Sequence, residues 1–177
     1  MSAHGLRAVQ SLICTAIVGD RSSAGGETLS VELEQLGEEN LHEVLELYRH
    51  MHRSDAPLSS EVAVSRWSEM MAMPGHLVFG VRSGADLIGT CVLQIVPNLT
   101  RGGRPYGVME NVVVHGDHQR RGVGTAMVGA ALDHAWSLGC YKVMLMTGVG
   151  NVSAQAFYAQ AGFDESAKRA YVARPSS

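Results

Sequence analysis

Apolar and polar residues alternate along residues 29–36, the period of a half-buried strand. Over residues 38–52 the period changes. Leu41, Val44, Leu45, Tyr48 and Met51 recur at i, i+3, i+4, i+7 spacing, which gathers them on one face of a helix. Residues 53–57, ending in Pro57, break that pattern. Ser59 or Ser60 is placed to N-cap a second helix, and Glu61 in its first turn suits the positive end of the dipole. This helix runs to Met73 and stops before Pro74 and Gly75. Two strand-like runs, 76–82 and 87–96, are joined by Ser83, Gly84, Ala85 and Asp86, a hairpin turn signal. A strand is predicted at 106–115, a helix over 122–138 ended by Gly139, and a strand at 141–147. A short helix over 152–161, ended by Gly162, and a last strand region over 163–174 complete the order. Adjacent strands without helices, followed by βαβαβ, predict an α/β layer with a mixed sheet.

A chain of 177 residues is one domain, placed at residues 29–177. Residues 1–28 are expected to be a flexible leader. Its apolar run at 12–18 is far short of a membrane span and, diluted by Gln10, Ser11 and Thr15, also unlike a secretory signal. A cytoplasmic location and no membrane partner are therefore expected. The 14 basic and 17 acidic residues give a net charge of -3, which disfavours a nucleic-acid partner. Three cysteines with no CxxC suggest neither a disulfide framework nor a cysteine zinc site. The pairs His115/His118 and His50/His52 lack the further ligands of a metal centre, so no metal is expected. Glycine is the compositional outlier, at 20 residues, and its placement carries information.

The most informative stretch is Gln119, Arg120, Arg121, Gly122, Val123, Gly124, Thr125, between a valine-rich strand and a long apolar helix. Gly122 and Gly124 lack the Cβ atoms that would block a ligand from the backbone. The first helical turn has free N–H groups and a partial positive charge, suited to a pyrophosphate, and two arginines stand at the same mouth. The spacing fits neither a Walker loop nor a dinucleotide fingerprint. The same residues also fit a βα turn whose glycines allow close packing. About 30 residues later, Asn151 is placed to cap the short helix, and Asn151, Ala154 and Tyr158 share one of its faces, with a groove over the small alanine.

Gln-x-x-Gly-x-Gly at 119–124, followed by Asn-x-x-Ala-x-x-x-Tyr-x-x-x-Gly-Phe at 151–163, resembles the GNAT superfamily of acetyl-CoA-dependent N-acetyltransferases. The resemblance spans residues 29–174 in element order. Segments 109–114, 139–145, 157–158, 162–163 and 168–174 are similar to those of its glucosamine-6-phosphate N-acetyltransferase-like branch. Asn111 departs from that branch, where an acid is expected, and Gly148 and Gly150 belong to an extra stretch before Asn151.

The resemblance implies a GNAT acyl-CoA N-acyltransferase fold, a mixed, mostly antiparallel sheet flanked by helices. It implies acetyl-CoA as cosubstrate, with its pyrophosphate on Arg120, Arg121, Gly122, Val123, Gly124 and Thr125 beside Gln119. The pantetheine arm would run along Val112, Val113 and Val114 like an added strand, and Asn151, Ala154 and Phe157 would line the other side. Glu110 is the candidate base, or else a carboxylate that only binds the amine. Tyr158 is the candidate acid for the departing thiolate, and the N–H near Val112 a donor to the acetyl carbonyl. Direct transfer needs no cysteine nucleophile, so Cys140 is read as a packed residue. On the acceptor side the resemblance places His52 and Arg53, and Arg101 and Arg104 lie on the loop before the central strand; all four also fit ordinary surface charge. The function expected is acetyl transfer to a small primary amine, an amino sugar phosphate among the candidates, in a ternary complex. A peptide or protein N-acetyltransferase and a non-catalytic acyl-CoA sensor are the alternatives. A homodimer through the β-rich C-terminus is a further expectation.

Overall fold

A computed structural model of the chain describes residues 14–17, 30–51 and 54–175, with 14–17, 30 and 31 described through their backbone alone. Six strands lie in one sheet in the order of the chain. They are β1 (Cys14–Ile17), β2 (Ser30–Gln35), β3 (His76–Ser83), β4 (Asp86–Val96), β5 (Tyr106–Val114) and β6 (Val143–Met144). The pairs from β1 to β5 are antiparallel, and β6 joins β5 in parallel. This is the mixed, mostly antiparallel sheet expected. The helices are α1 (Leu41–Tyr48), α2 (Ser60–Ala72), α3 (Val123–Ser137) and α4 (Val152–Gln160). No helix among the described residues is long and apolar enough to cross a membrane.

The sheet buries both faces. On one, α3 packs against Phe79, Cys91, Leu93 and Met109. Ala126, Ala130, Ala131 and Ala135 of α3 are buried, and their small side chains let the helix lie close to the sheet. On the other face, Val44 and Leu47 of α1 and Trp67 of α2 pack against Val78, Val92 and Val113. The Trp67 indole N–H donates to the carbonyls of Gly37 and Glu38 at 3.2 and 3.1 Å, which pins α2 to the start of α1. Ser59 caps α2 as its sequence predicts, its hydroxyl accepting from the Val62 N–H at 3.3 Å.

The structure differs from the sequence reading in three places. Residues 14–17, inside the expected leader, pair with β2 as an edge strand. The rest of residues 1–28 lies outside the described residues. The strand expected at 141–147 shrinks to β6, with only Gly107–Val143 and Val108–Met144 in register. The strand region expected over 163–174 is not a strand: residues 164–175 are exposed and without regular structure. Alternation shows which residues could lie on a pleated surface, but a strand exists only where a second backbone accepts its hydrogen bonds. Past Met144, no other described segment pairs with β6.

Arg82 ties three elements together. Its guanidinium bonds Glu34 of β2 and grips Glu43 of α1 in two-pronged fashion at 2.7 and 2.9 Å. The Arg82 hydrogen bonds, with help from Asn40, hold the Glu43 carboxyl at about 2 against its usual 4.5. A depressed carboxyl stabilises the fold above its ordinary pKa and stops doing so as pH falls through the folded value. Arg82→Ala should lower the melting temperature at pH 7 by about 2–4 °C, the shift that roughly 1 kcal/mol gives in a chain of this size. The gap between the two proteins should narrow as pH drops from 4.5 to 2, as thermal melts across that range would record. A gap independent of pH would show that Glu43 is not the partner that matters.

Candidate active site

The site is built on β5, whose two edges are treated differently. One edge is paired with β4 along most of the strand. The other meets β6 only at Gly107 and Val108, so from Met109 to Val114 the edge towards β6 is open. A β-bulge interrupts the paired side. Val92 stands opposite Glu110 and Thr90 opposite Val113, so Asn111 and Val112 together face the single residue Cys91. Asn111 has φ of 51° at this point. The bulge resets the alternation of the strand. Met109 faces α3, and beyond the bulge Val112 and Val114 share that face while Val113 is buried on the side of α1.

The loop after β5 enters α3 through two left-handed residues, Arg120 with φ 57° and Gly122 with φ 81°. Gly122 is the N-cap and offers no side chain, and no acidic residue stands in the first turn. The first intrahelical bond runs from the Ala126 N–H to the Gly122 carbonyl at 2.9 Å. The amides of Val123, Gly124 and Thr125 are thus left without helical acceptors at the positive end of a 15-residue helix. Arg120 and Arg121 are exposed at its mouth. An uncapped terminus, two left-handed residues and two cations fit a pyrophosphate. Two of the predicted residues also serve the frame. The Gln119 side chain donates to the Val114 carbonyl at 3.0 Å and so closes the end of β5. A Cβ on Gly124 would stand 3.3 Å from the Phe157 ring, so this glycine lets α3 and α4 approach each other. Gly122 has a φ that side chains rarely adopt, so the entry to α3 favours glycine there.

α4 closes the other side. Asn151 caps it, Oδ1 accepting from the Ala154 N–H at 3.2 Å. Phe157 packs towards α3, and Tyr158, one residue on, lines a cavity of about 800 Å³. Glu110, Val108, Met144, Met146 and Phe163 share that cavity. Glu110 is exposed within it. Tyr158 is half-buried, and burial pushes its phenol up, with smaller contributions from Cys91 and from the charge of Glu110. The two candidate catalytic groups therefore lie in one electrostatic neighbourhood, and Tyr158 stays protonated through the neutral range. Cys91 and Cys140 are poor nucleophiles: burial raises the Cys91 thiol to about 12 and also raises Cys140.

The acceptor-side residues divide. His52 and Arg53 lie outside the described residues. Arg104 is already engaged: its guanidinium donates to the Gly139 and Cys140 carbonyls, each at 3.1 Å, in the turn that follows α3. Arg101 remains exposed, 6.0 Å from the centre of the Tyr141 ring. Lys142, absent from the residues singled out in the sequence, stands 5.3 Å from the Tyr106 ring centre and 5.5 Å from that of Tyr141, and it lines the cavity. Its only signal in the sequence is its place in the Cys-Tyr-Lys segment.

The sequence profile of the acetyltransferase (GNAT) family matches residues 41–163. A glucosamine 6-phosphate N-acetyltransferase of Trypanosoma brucei brucei is 32% identical over 139 residues, covering 77% of this chain and 91% of that protein. One of Schizosaccharomyces pombe is 40% identical over 76 residues, covering 43% of this chain and 66% of that protein. The solved structure of an Agrobacterium tumefaciens protein, 37% identical, superposes with a TM-score of 0.77 over 81% of this chain and 99% of that one. With the open strand edge, the uncapped helix and the Glu110–Tyr158 cavity in place, the chain belongs to the acetyltransferase (GNAT) family, whose members use acetyl-CoA.

Proposed function

We propose that this N-acetyltransferase acts on the primary amine of a small molecule carrying an anionic group, with an amino sugar phosphate as the acceptor, in a ternary complex. The observation that carries this reading is the placement of Glu110 and Tyr158 on one cavity beside the open edge of β5. The cavity also gathers Lys142, Lys168 and Arg169, which suit a phosphate or carboxylate on the acceptor. Two of the relatives are glucosamine 6-phosphate N-acetyltransferases by name.

Acetyl-CoA supplies an acetyl group activated on sulfur. The amides of α3 and the two arginines hold its pyrophosphate, and the open β5 edge offers N–H and C=O groups to its amide-bearing arm. The Val112 N–H donates to the acetyl oxygen as negative charge develops there. Glu110 accepts the proton that the amine nitrogen loses as the new amide bond forms. Tyr158 donates its proton to the sulfur as the thioester bond breaks. Holding both reactants on one rigid sheet supplies much of the rate.

A second copy of the chain completes the cavity in this reading. Tyr171 and Val172 are 87% and 63% exposed on a segment without strand partners, and Tyr171 lines the cavity together with Met144 of β6. Sedimentation equilibrium should give twice the 18.9 kDa chain mass, and removal of residues 164–177 should give the monomer. A monomeric full chain would refute the dimer.

Thiol release from acetyl-CoA, measured over an amine panel, tests the function directly. Turnover is expected with glucosamine 6-phosphate, weaker turnover with glucosamine, and none with peptide N-termini or lysines. Turnover of peptides alone would replace the acceptor, and binding without turnover of any amine would indicate a sensor. The two ends of the site should separate in their effects. Tyr158→Phe is expected to lower kcat by about 10²-fold while leaving the acetyl-CoA Kd within about threefold. Gly122→Val is expected to abolish acetyl-CoA binding in calorimetry, because a branched residue cannot take the left-handed conformation of the cradle. Unchanged kcat in the first variant would remove Tyr158 from the acid role.

A further inference from the structure

A second cluster of titratable groups stands outside the Glu110–Tyr158 cavity, where β5 ends and the loop into α3 begins. A pocket of about 460 Å³ is lined there by His42, Glu43, Glu46 and His50 of α1 and the turn after it, by Asp86 of β4, and by His115, Asp117 and His118 of the loop. Two of the carboxylates are already engaged, Glu43 with Arg82 and Glu46 with Arg49. Among the described residues no three donors are placed to hold a metal ion, so the chemistry open to this cluster is that of protons.

His115 is the centre of the cluster. Its ring centre lies 4.3 Å from that of His50 and 5.9 Å from that of His118. Gly116, the next residue, sits against the same His50 ring: a Cβ there would stand 3.7 Å from His50 Nδ1. The turn after α1 therefore rests on the start of the loop that leads to Arg120 and Gly122. The Nδ1 atom of His115 has a defined task. It accepts the Asp117 N–H at 3.3 Å and so caps the short turn Gly116–His118. Only an unprotonated Nδ1 can accept. The Asp117 carboxylate lies 3.9 Å from the same atom, beyond hydrogen-bond distance. A proton on Nδ1 reverses both relations. The nitrogen turns from acceptor to donor, the Asp117 amide loses its partner, and the Asp117 carboxylate becomes the group to which the ring is drawn. The added charge also faces two further imidazoles, and histidine is the side chain that changes charge near neutrality.

We infer that His115 is a proton switch on the cofactor loop: with its ring neutral it caps the turn that sets residues 119–125 for the pyrophosphate, and with its ring protonated it turns to the Asp117 carboxylate, the turn opens and acetyl-CoA binds weakly. His115 acts through the loop and is a positioning residue. The inference rests on the proposed placement of the pyrophosphate at residues 120–125. Its sign is distinctive, since an anionic cofactor acting through charge alone would favour a protonated ring nearby.

Proton NMR of the full chain gives the midpoint of the His115 titration, and calorimetry gives the acetyl-CoA Kd on either side of it. One pH unit below the midpoint about a tenth of the molecules keep the neutral ring, so Kd is expected to be about tenfold weaker there than two units above. His115→Asn is the control, because a carboxamide oxygen can accept the N–H two residues on and takes up no proton. Its Kd should match wild type at the higher pH and change by less than about threefold across the range, which separates the switch from titration of the cofactor's own phosphates. His115→Phe keeps a ring and loses the acceptor, and should bind about tenfold more weakly than wild type at the higher pH, as the protonated form does. At the midpoint, acetyl-CoA binding should release more protons from wild type than from His115→Asn, read from the dependence of the calorimetric heat on the buffer. A pH dependence of Kd equal in wild type and His115→Asn, or proton uptake in place of release, would overturn the switch. So would wild-type affinity of His115→Phe at the higher pH. If His115→Phe does not fold, the His115→Asn comparison and the proton count decide alone. Full acetyl-CoA binding by Gly122→Val would instead sink the placement of the pyrophosphate, and the switch with it.

Discussion

Backbone groups must be satisfied, and β5 is a central strand that satisfies them on one side only. Towards β4 its ladder is nearly continuous; towards β6 it stops after Val108. An N–H or C=O left without a partner costs free energy unless water or a ligand takes it up. The rest of the site follows from this asymmetry. The parallel neighbour is in register for two residues only, and Glu110 lies beyond them, on the stretch of β5 whose edge towards β6 is unpaired.

The first turn of α3 presents the same situation in helical form. Its amides are free by the geometry of any helix, and Gly122 adds no capping oxygen to consume them. Both openings belong to residues joined by a loop of only eight positions, 115–122. The path from the strand edge to the helix terminus is therefore short and fixed. The burial of α3 against the sheet holds it there, because its alanines allow close approach and its apolar surface has nowhere else to go. The charge that the site needs is local, two arginines and a helix terminus, and leaves the net charge of the chain at -3.

Much of this could be read before the structure. The period changes located the helices to within a few residues, Ser59 and Asn151 capped as their side chains allow, and Gly122 stands at the N-terminus of α3. These features are local, decided by residues within a turn or two of one another. What could not be read was not local. Gly124 and Gly122 look alike in the sequence, yet one makes room for the Phe157 ring and the other adopts a left-handed turn. Arg104 looks like a free cation until the carbonyls of the turn that follows α3 arrive beside it. The expected last strand alternates well enough but has no backbone to pair with.

Residue order alone determined which segments have one apolar face, where the helices begin and end, and which types of side chain gather near the phosphate loop. Those properties depend on periodicity and capping, which act over a few residues. The tertiary structure decided the partners. It chose that β5 is open on one edge, that a bulge falls at Asn111 and Val112, and that Val113 beyond it is buried against α1. The physical reason is that pairing, burial and strain are settled between elements distant in the chain, where only the folded arrangement says which backbone and which side chain meet.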